Sequence, residues 1–154
     1  MRALAIPIVF ASVFVLTGCG KGAAPEQAAA PAAPPAPVST VTTRQIMLGL
    51  VIPAADIVWG VGSQAPADDA AWEKVAASAA MIAEAGNLMS TGTRVLDQGD
   101  WLTYVKAMQD AATAAAAGAT AKNVDQTSDA GNMLYDSCDT CHMKYMTARQ
   151  GEAK

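Results

Sequence analysis

Residues 138–142 read Cys-Asp-Thr-Cys-His, and their types and spacing carry more chemistry than any other stretch of the chain. Two thiols three positions apart lie on one face of a helical turn, with an imidazole directly after them. This is the c-type haem attachment pattern: the thiols of Cys138 and Cys141 add to the two vinyl groups of a haem, and the adjacent His142 is directed at the iron as its axial ligand. Three other chemistries use the same residue types. A structural zinc site needs a fourth ligand, and the chain has no second His and no further core Cys to supply it. A thioredoxin-like dithiol normally sits at a strand-to-helix junction and has no need of His142. A plain structural disulfide ranks with the dithiol.

Counting residues removes other functions. His142 is the one His in 154 residues, so a zinc centre with several imidazoles is excluded and a Ser-His-Asp or Cys-His hydrolase would have to use His142 itself. The formal charge of −4 and the absence of a basic cluster argue against nucleic acid as a partner, because neutralising phosphates requires grouped Lys and Arg.

The residues that position the motif are predicted to be helical. Ala supplies 35 of the 154 residues, so the 52% hydrophobic content overstates the large side chains available for a core. Both Phe residues fall in the first twenty positions, and the β-branched and aromatic runs that mark strands are missing.

Residues 1–18 have the anatomy of an export signal: Arg2, an apolar run from Ala3 to Leu16, then Thr17 and Gly18. Leu16-Thr17-Gly18-Cys19 resembles a bacterial lipobox, which implies cleavage before Cys19, its lipidation and a membrane-anchored protein in the periplasm. Gly20 after the Cys, in place of Asp, favours the outer membrane's periplasmic face. An export signal also suits covalent haem, which is attached after secretion. Residues 19–38 hold five of the eight Pro among many Ala and are predicted to form an extended spacer, with a rise of about 3 Å per residue in the polyproline conformation.

Residues 39–154 are predicted to form one all-α domain of four helices. The first runs from Ser39 to Gly60, capped by Ser39 or Thr40, with Val41, Leu48, Ile52, Ala55 and Trp59 on one stripe and Met47, Val51 and Val58 on the next. Pro53 predicts a kink or short break in it. The second follows Asp68 and Asp69 and repeats Trp72, Val75, Ala79, Ile82, Gly86 and Met89 at alternating three and four residues. The third starts near Asp100 as its cap and turns Trp101, Tyr104, Val105, Met108, Ala112 and Ala115 inward before Gly118. The fourth, from about Thr120 to Arg149, carries an apolar stripe through Val124, Thr127, Gly131, Leu134, Cys138, Cys141 and Tyr145. Short connections make an antiparallel four-helix bundle, with the haem motif on the C-terminal helix, the economical architecture.

A haem motif on the last of four helices resembles the class II c-type cytochromes, the cytochrome c-prime-like family, over roughly residues 39–149. The segment Arg44-Gln45-Ile46-Met47-Leu48 is similar to the family's first helix, which implies that Arg44 and Gln45 contact the haem propionates and that a nearby side chain covers the distal iron face. In many relatives that side chain comes four places after the Arg, here Leu48, whereas Met47 comes three places after it. Adjacent helix positions point about 100° apart, so one of the two faces the iron. Met47 as ligand makes a six-coordinate haem suited to single-electron transfer between periplasmic redox partner proteins, with no enzymatic turnover. Leu48 leaves a five-coordinate haem that binds nitric oxide or carbon monoxide. Trp59 and Trp72 are most simply core fillers, with stacking on the haem as the other possibility. Met143 and Met146 share a helix with His142 and belong to the proximal side, where Lys144 and Arg149 add surface charge. The resemblance also implies a homodimer through the first two helices.

Overall fold

The computed structural model describes residues 39–152, with side-chain surroundings as far as Met146. The export segment 1–18, Cys19, the spacer 19–38 and the side chain of Arg149 lie outside the described residues.

Among the described residues the protein is all-helical, without a strand. Its elements are α1 (Thr43–Ile46), a π-helical turn (Met47–Val51), α2 (Ile52–Gly60), α3 (Asp69–Met89), a 3-10 turn (Gly92–Arg94), α4 (Asp100–Thr120) and α5 (Val124–Glu152). Because Met47 and Ile52, where the sections join, both have right-handed helical dihedrals, α1, the π turn and α2 continue as one rod. The described residues therefore form four helices, an arrangement compatible with a bundle, and α4 makes its broadest contacts with α5 and α3.

The first rod starts later than Ser39 or Thr40. Thr42 is its cap, with Thr42 Oγ1 accepting the Gln45 N–H at 3.2 Å and Gln45 Oε1 accepting the Thr42 N–H at 2.9 Å. Only Thr42 has a Gln three residues on, so only there do two free amides satisfy each other reciprocally. The break expected at Pro53 is replaced by the wide turn ahead of it, where the Ile52 N–H reaches back to the Met47 carbonyl. Proline has no N–H to donate and its ring crowds the carbonyl one turn back; widening that turn accommodates both without ending the helix.

The inserted residue changes which stripe is buried. Ile46 and Val51, five positions apart, are both in the core and continue into Ala54, Ala55 and Val58. Of the stripe drawn through Val41, Leu48, Ile52, Ala55 and Trp59, only Ala55 is buried; Leu48 is 52% exposed. Of the adjacent stripe, Val51 and Val58 are buried and Met47 is half-buried, so it is that stripe which the rod turns inward.

The other helices follow their predicted faces. Asp68 caps α3, accepting the Ala71 N–H at 2.8 Å, and Trp72, Val75, Ala79, Ile82, Gly86 and Met89 are all buried. At α4 the cap differs: Gly99 holds the cap position, and Asp97 accepts the N–H groups of Gly99 at 2.9 Å and Trp101 at 3.1 Å. The helix passes through Gly118 to Thr120, because Gly118 is a point of close approach rather than a terminator. A Cβ there would lie 2.9 Å from the Thr127 nitrogen. The chain then reverses through Lys122 at a φ of 53°, and Asn123 caps α5 by accepting the Gln126 N–H at 3.0 Å.

Trp101 Nε1 donates to the Met89 carbonyl at 3.0 Å, and Lys122 pairs with Asp69 at 2.7 Å, so each end of α4 meets one end of α3. Lys144 on α5 pairs with Asp100. The main core joins all four helices, and a smaller cluster of Val61, Trp72, Val75 and Ala119 closes one end.

Candidate functional site

The apolar stripe of α5 is fully buried at Thr127 and Leu134 and becomes half-buried at Cys138 and Cys141, where the helix borders a narrow crevice. Ser137, Cys138, Cys141 and His142 form the α5 wall. Trp101, Tyr104, Val105 and Met108 form the α4 wall, Met89 contributes from the end of α3, and Met47 contributes from the π turn. The motif residues and the first rod, separated by some ninety positions in the chain, thus share one cavity.

The walls present carbon and sulfur. The Trp101 indole N–H is bonded to the Met89 carbonyl, and the Ser137 hydroxyl donates to the Leu134 carbonyl at 2.7 Å, so these polar groups are already satisfied by backbone. Both cysteines are free thiols. Burial raises the Cys138 thiol above its ordinary value and pushes Cys141 up to about 11, with Cys138 beside it adding to the effect. Protonated thiols without a cationic neighbour are the reverse of an activated nucleophile, which weighs against dithiol exchange or thiol hydrolysis here.

Two thiols and an imidazole on one wall of the crevice, with a thioether on another, are the donor types that a covalently attached haem would use. Among the described residues no group of three or more His, Cys, Asp and Glu is arranged to hold a metal ion. A haem asks for less from the protein, one axial nitrogen with or without one sulfur.

The remaining predicted residues divide clearly. Met47 lines the crevice, while Leu48 does not and is largely exposed. Arg44 and Gln45 are exposed and do not line it; the Gln45 carbonyl oxygen is engaged in the α1 cap. Trp72 belongs to the small end cluster, and Trp59 donates its indole N–H to the Gly131 carbonyl at 3.0 Å, so the aromatic rings at the crevice are those of Trp101 and Tyr104. Met143 and Met146 are exposed and lie outside the lining.

Beyond His142 the helix is braced against the loop before α4. The Tyr145 hydroxyl donates to Asp97, and its ring meets Trp101 edge-on at 5.1 Å and Tyr104 at 6.2 Å. Asp97 and the buried Arg94 escaped the sequence reading. An Asp two residues before a Gly at a helix start is a legible capping signal for Asp97. Arg94 has none, because it bonds backbone carbonyls and a Thr hydroxyl brought to it by the fold.

No protein-family model matches this chain, and no curated protein or solved structure is significantly similar to it. Among the described residues no helix is long and apolar enough to cross a membrane.

Proposed function

We propose that this chain is a monohaem c-type cytochrome of the class II, cytochrome c-prime-like kind, an antiparallel four-helix bundle that passes single electrons between periplasmic partners. The observation that carries the reading is the meeting of Met47 with Cys138, Cys141 and His142 in one apolar crevice.

In this reading Cys138 and Cys141 would hold a haem by thioether bonds, and His142 and Met47 would bind its iron. The haem supplies a one-electron couple, and sulfur ligation favours its reduced state. The residues around it supply an apolar wall: Trp101 and Met108 are buried, and Tyr104 and Val105 complete the α4 side. Fixed ligands and an apolar lining keep the surroundings nearly unchanged when charge changes by one, as a carrier requires. The antiparallel course is supported by the Trp101–Met89, Lys122–Asp69, Gly118–Thr127 and Lys144–Asp100 contacts. Membrane attachment is assigned to lipidated Cys19 through the 19–38 spacer, on the strength of the lipobox-like sequence.

The test is the full-length protein produced in a bacterium able to attach haem. Colour that survives acid extraction, and is lost in Cys138→Ala and Cys141→Ala, supports the assignment. A reduced spectrum of low-spin type that ignores carbon monoxide supports electron transfer. A high-spin spectrum with ready carbon monoxide uptake would move the protein to the five-coordinate, gas-binding class, and absence of covalent haem would remove both readings.

A further inference from the structure

Met47 lies one turn from the start of the first rod, whose opening turn is held by the Thr42 cap and by Ile46 in the core. Helix ends open more readily than interiors, so contacts made to the chain just ahead of this turn bear on its place.

Arg94 makes such contacts. It is 7% exposed, and its guanidinium binds no carboxylate; Nη1 donates to the Val41 carbonyl at 3.2 Å, Nη2 to Thr91 Oγ1 at 2.9 Å, and Nε to the Leu88 carbonyl. Thr91 Oγ1 in turn donates to the same Leu88 carbonyl at 3.0 Å. A buried cation is tolerated only when its donors are satisfied, and the planar fork of Arg can reach three acceptors in fixed directions where Lys cannot. The Val41 carbonyl belongs to the residue just before the Thr42 cap, and Leu88 adjoins Met89 in the crevice wall. Gly92 lies beside the same segment. Gly92, at a φ of +61°, lies so close to Ser39 that a Cβ would come within 2.7 Å of Ser39 Oγ.

We propose that Arg94, assisted by Gly92, is a positioning residue that clamps residues 39–41 to the end of α3 and so fixes Met47 at the crevice. The clamp itself is a property of the polypeptide; its effect on the iron rests on the function proposed above.

The experiment uses haem-loaded full-length protein and four variants, Arg94→Met, Arg94→Lys, Gly92→Ala and Met47→Leu, with two readouts taken well below the melting temperature. The first is tryptic cleavage after Arg44 relative to cleavage after Lys106 on α4, which separates local opening of α1 from global unfolding. The second is the fraction of reduced protein that binds carbon monoxide. Loss of the buried charge-assisted bonds in Arg94→Met should raise relative cleavage after Arg44 by about tenfold or more, because proteolysis follows the open population. Arg94→Met and Gly92→Ala should also bind carbon monoxide where the wild type does not, with Arg94→Lys intermediate in both readouts. Met47→Leu should bind carbon monoxide with cleavage unchanged.

Unchanged relative cleavage in folded Arg94→Met overturns the clamp whatever the iron does. If that variant does not fold, unchanged cleavage in both Arg94→Lys and Gly92→Ala overturns it equally. Increased cleavage with no new carbon monoxide binding overturns the positioning of Met47. Carbon monoxide binding already complete in the wild type counts against the six-coordinate reading instead, leaving the cleavage result to judge the clamp.

Discussion

The Tyr145 hydroxyl donates to the Asp97 carboxylate, and the same carboxylate accepts the backbone N–H groups of Gly99 and Trp101. One side chain thereby ties the end of the motif helix to the start of the helix that forms the opposite crevice wall. The Tyr145 bond is the chief reason that Asp97 is held below the ordinary carboxylate value, with the Trp101 amide next. Burial is the main cause, and Asp97 the next, of the rise of the Tyr145 phenol to about 12.

This pair predicts a pH dependence of stability. Asp97 is lowered in the folded protein, so its stabilisation is fully present above the unfolded carboxylate value of about 3.9 and is lost as pH falls through the lower folded value. Thermal melts followed by circular dichroism should show Asp97→Asn less stable than wild type at neutral pH, with the gap closing in strong acid. Tyr145 is raised, so its contribution is intact below about pH 10 and is lost as pH climbs towards its folded value. Tyr145→Phe should abolish that alkaline loss, and a gap independent of pH for both variants would contradict the assignment.

Two glycines separate packing from propensity. Gly118→Ala gains helix propensity but drives a methyl against the Thr127 backbone, 2.9 Å from its nitrogen and 3.1 Å from its Cα, contacts that no side-chain rotation relieves. It should destabilise by about 1–3 kcal/mol. Gly60→Ala meets nothing within 4 Å inside α2 and should stabilise by about 0.5–1 kcal/mol. Urea denaturation of the two variants measures both signs.

Trp101→Phe keeps most of the ring but removes the bond to the Met89 carbonyl. A loss of about 1–2 kcal/mol is expected in urea denaturation, since a buried acceptor is left without its donor.

Three methionines reach the crevice, Met47, Met89 and Met108. Leucine conserves their volume, so each Met→Leu change should cost less than about 1.5 kcal/mol in stability. Only Met47→Leu should admit carbon monoxide to the reduced, haem-loaded protein; the same response from Met89→Leu or Met108→Leu would transfer the ligand role to that residue.

The helices were legible because their determinants are local or periodic. Asp68 followed by the Trp72–Met89 stripe predicts α3 within a residue, and the α5 stripe runs through Thr127, Leu134, Cys138 and Cys141 as drawn. On the first rod the buried face follows the stripe through Met47, Val51 and Val58 rather than the one beside it, and Ile46 joins that face because the π turn before Pro53 breaks the period on which such patterns depend. Its cap was misplaced despite a local signal, the Thr42–Gln45 box. Asp97 had a comparable signal at α4, two residues before Gly99.

By itself the sequence determined the helical class, the thiol–thiol–imidazole spacing of Cys138, Cys141 and His142, and the inward face of α5, all of which depend on residues within a few turns of one another. Only the tertiary structure decided that Met47 lines the crevice while Leu48 is turned outward, that Trp101 and Tyr104 rather than Trp59 and Trp72 wall it, and that Arg94 holds the start of the first rod. Those outcomes depend on a one-residue shift in helical phase and on contacts between segments tens of residues apart. A phase error of one residue rotates a side chain by about 100°, enough to exchange the core for solvent.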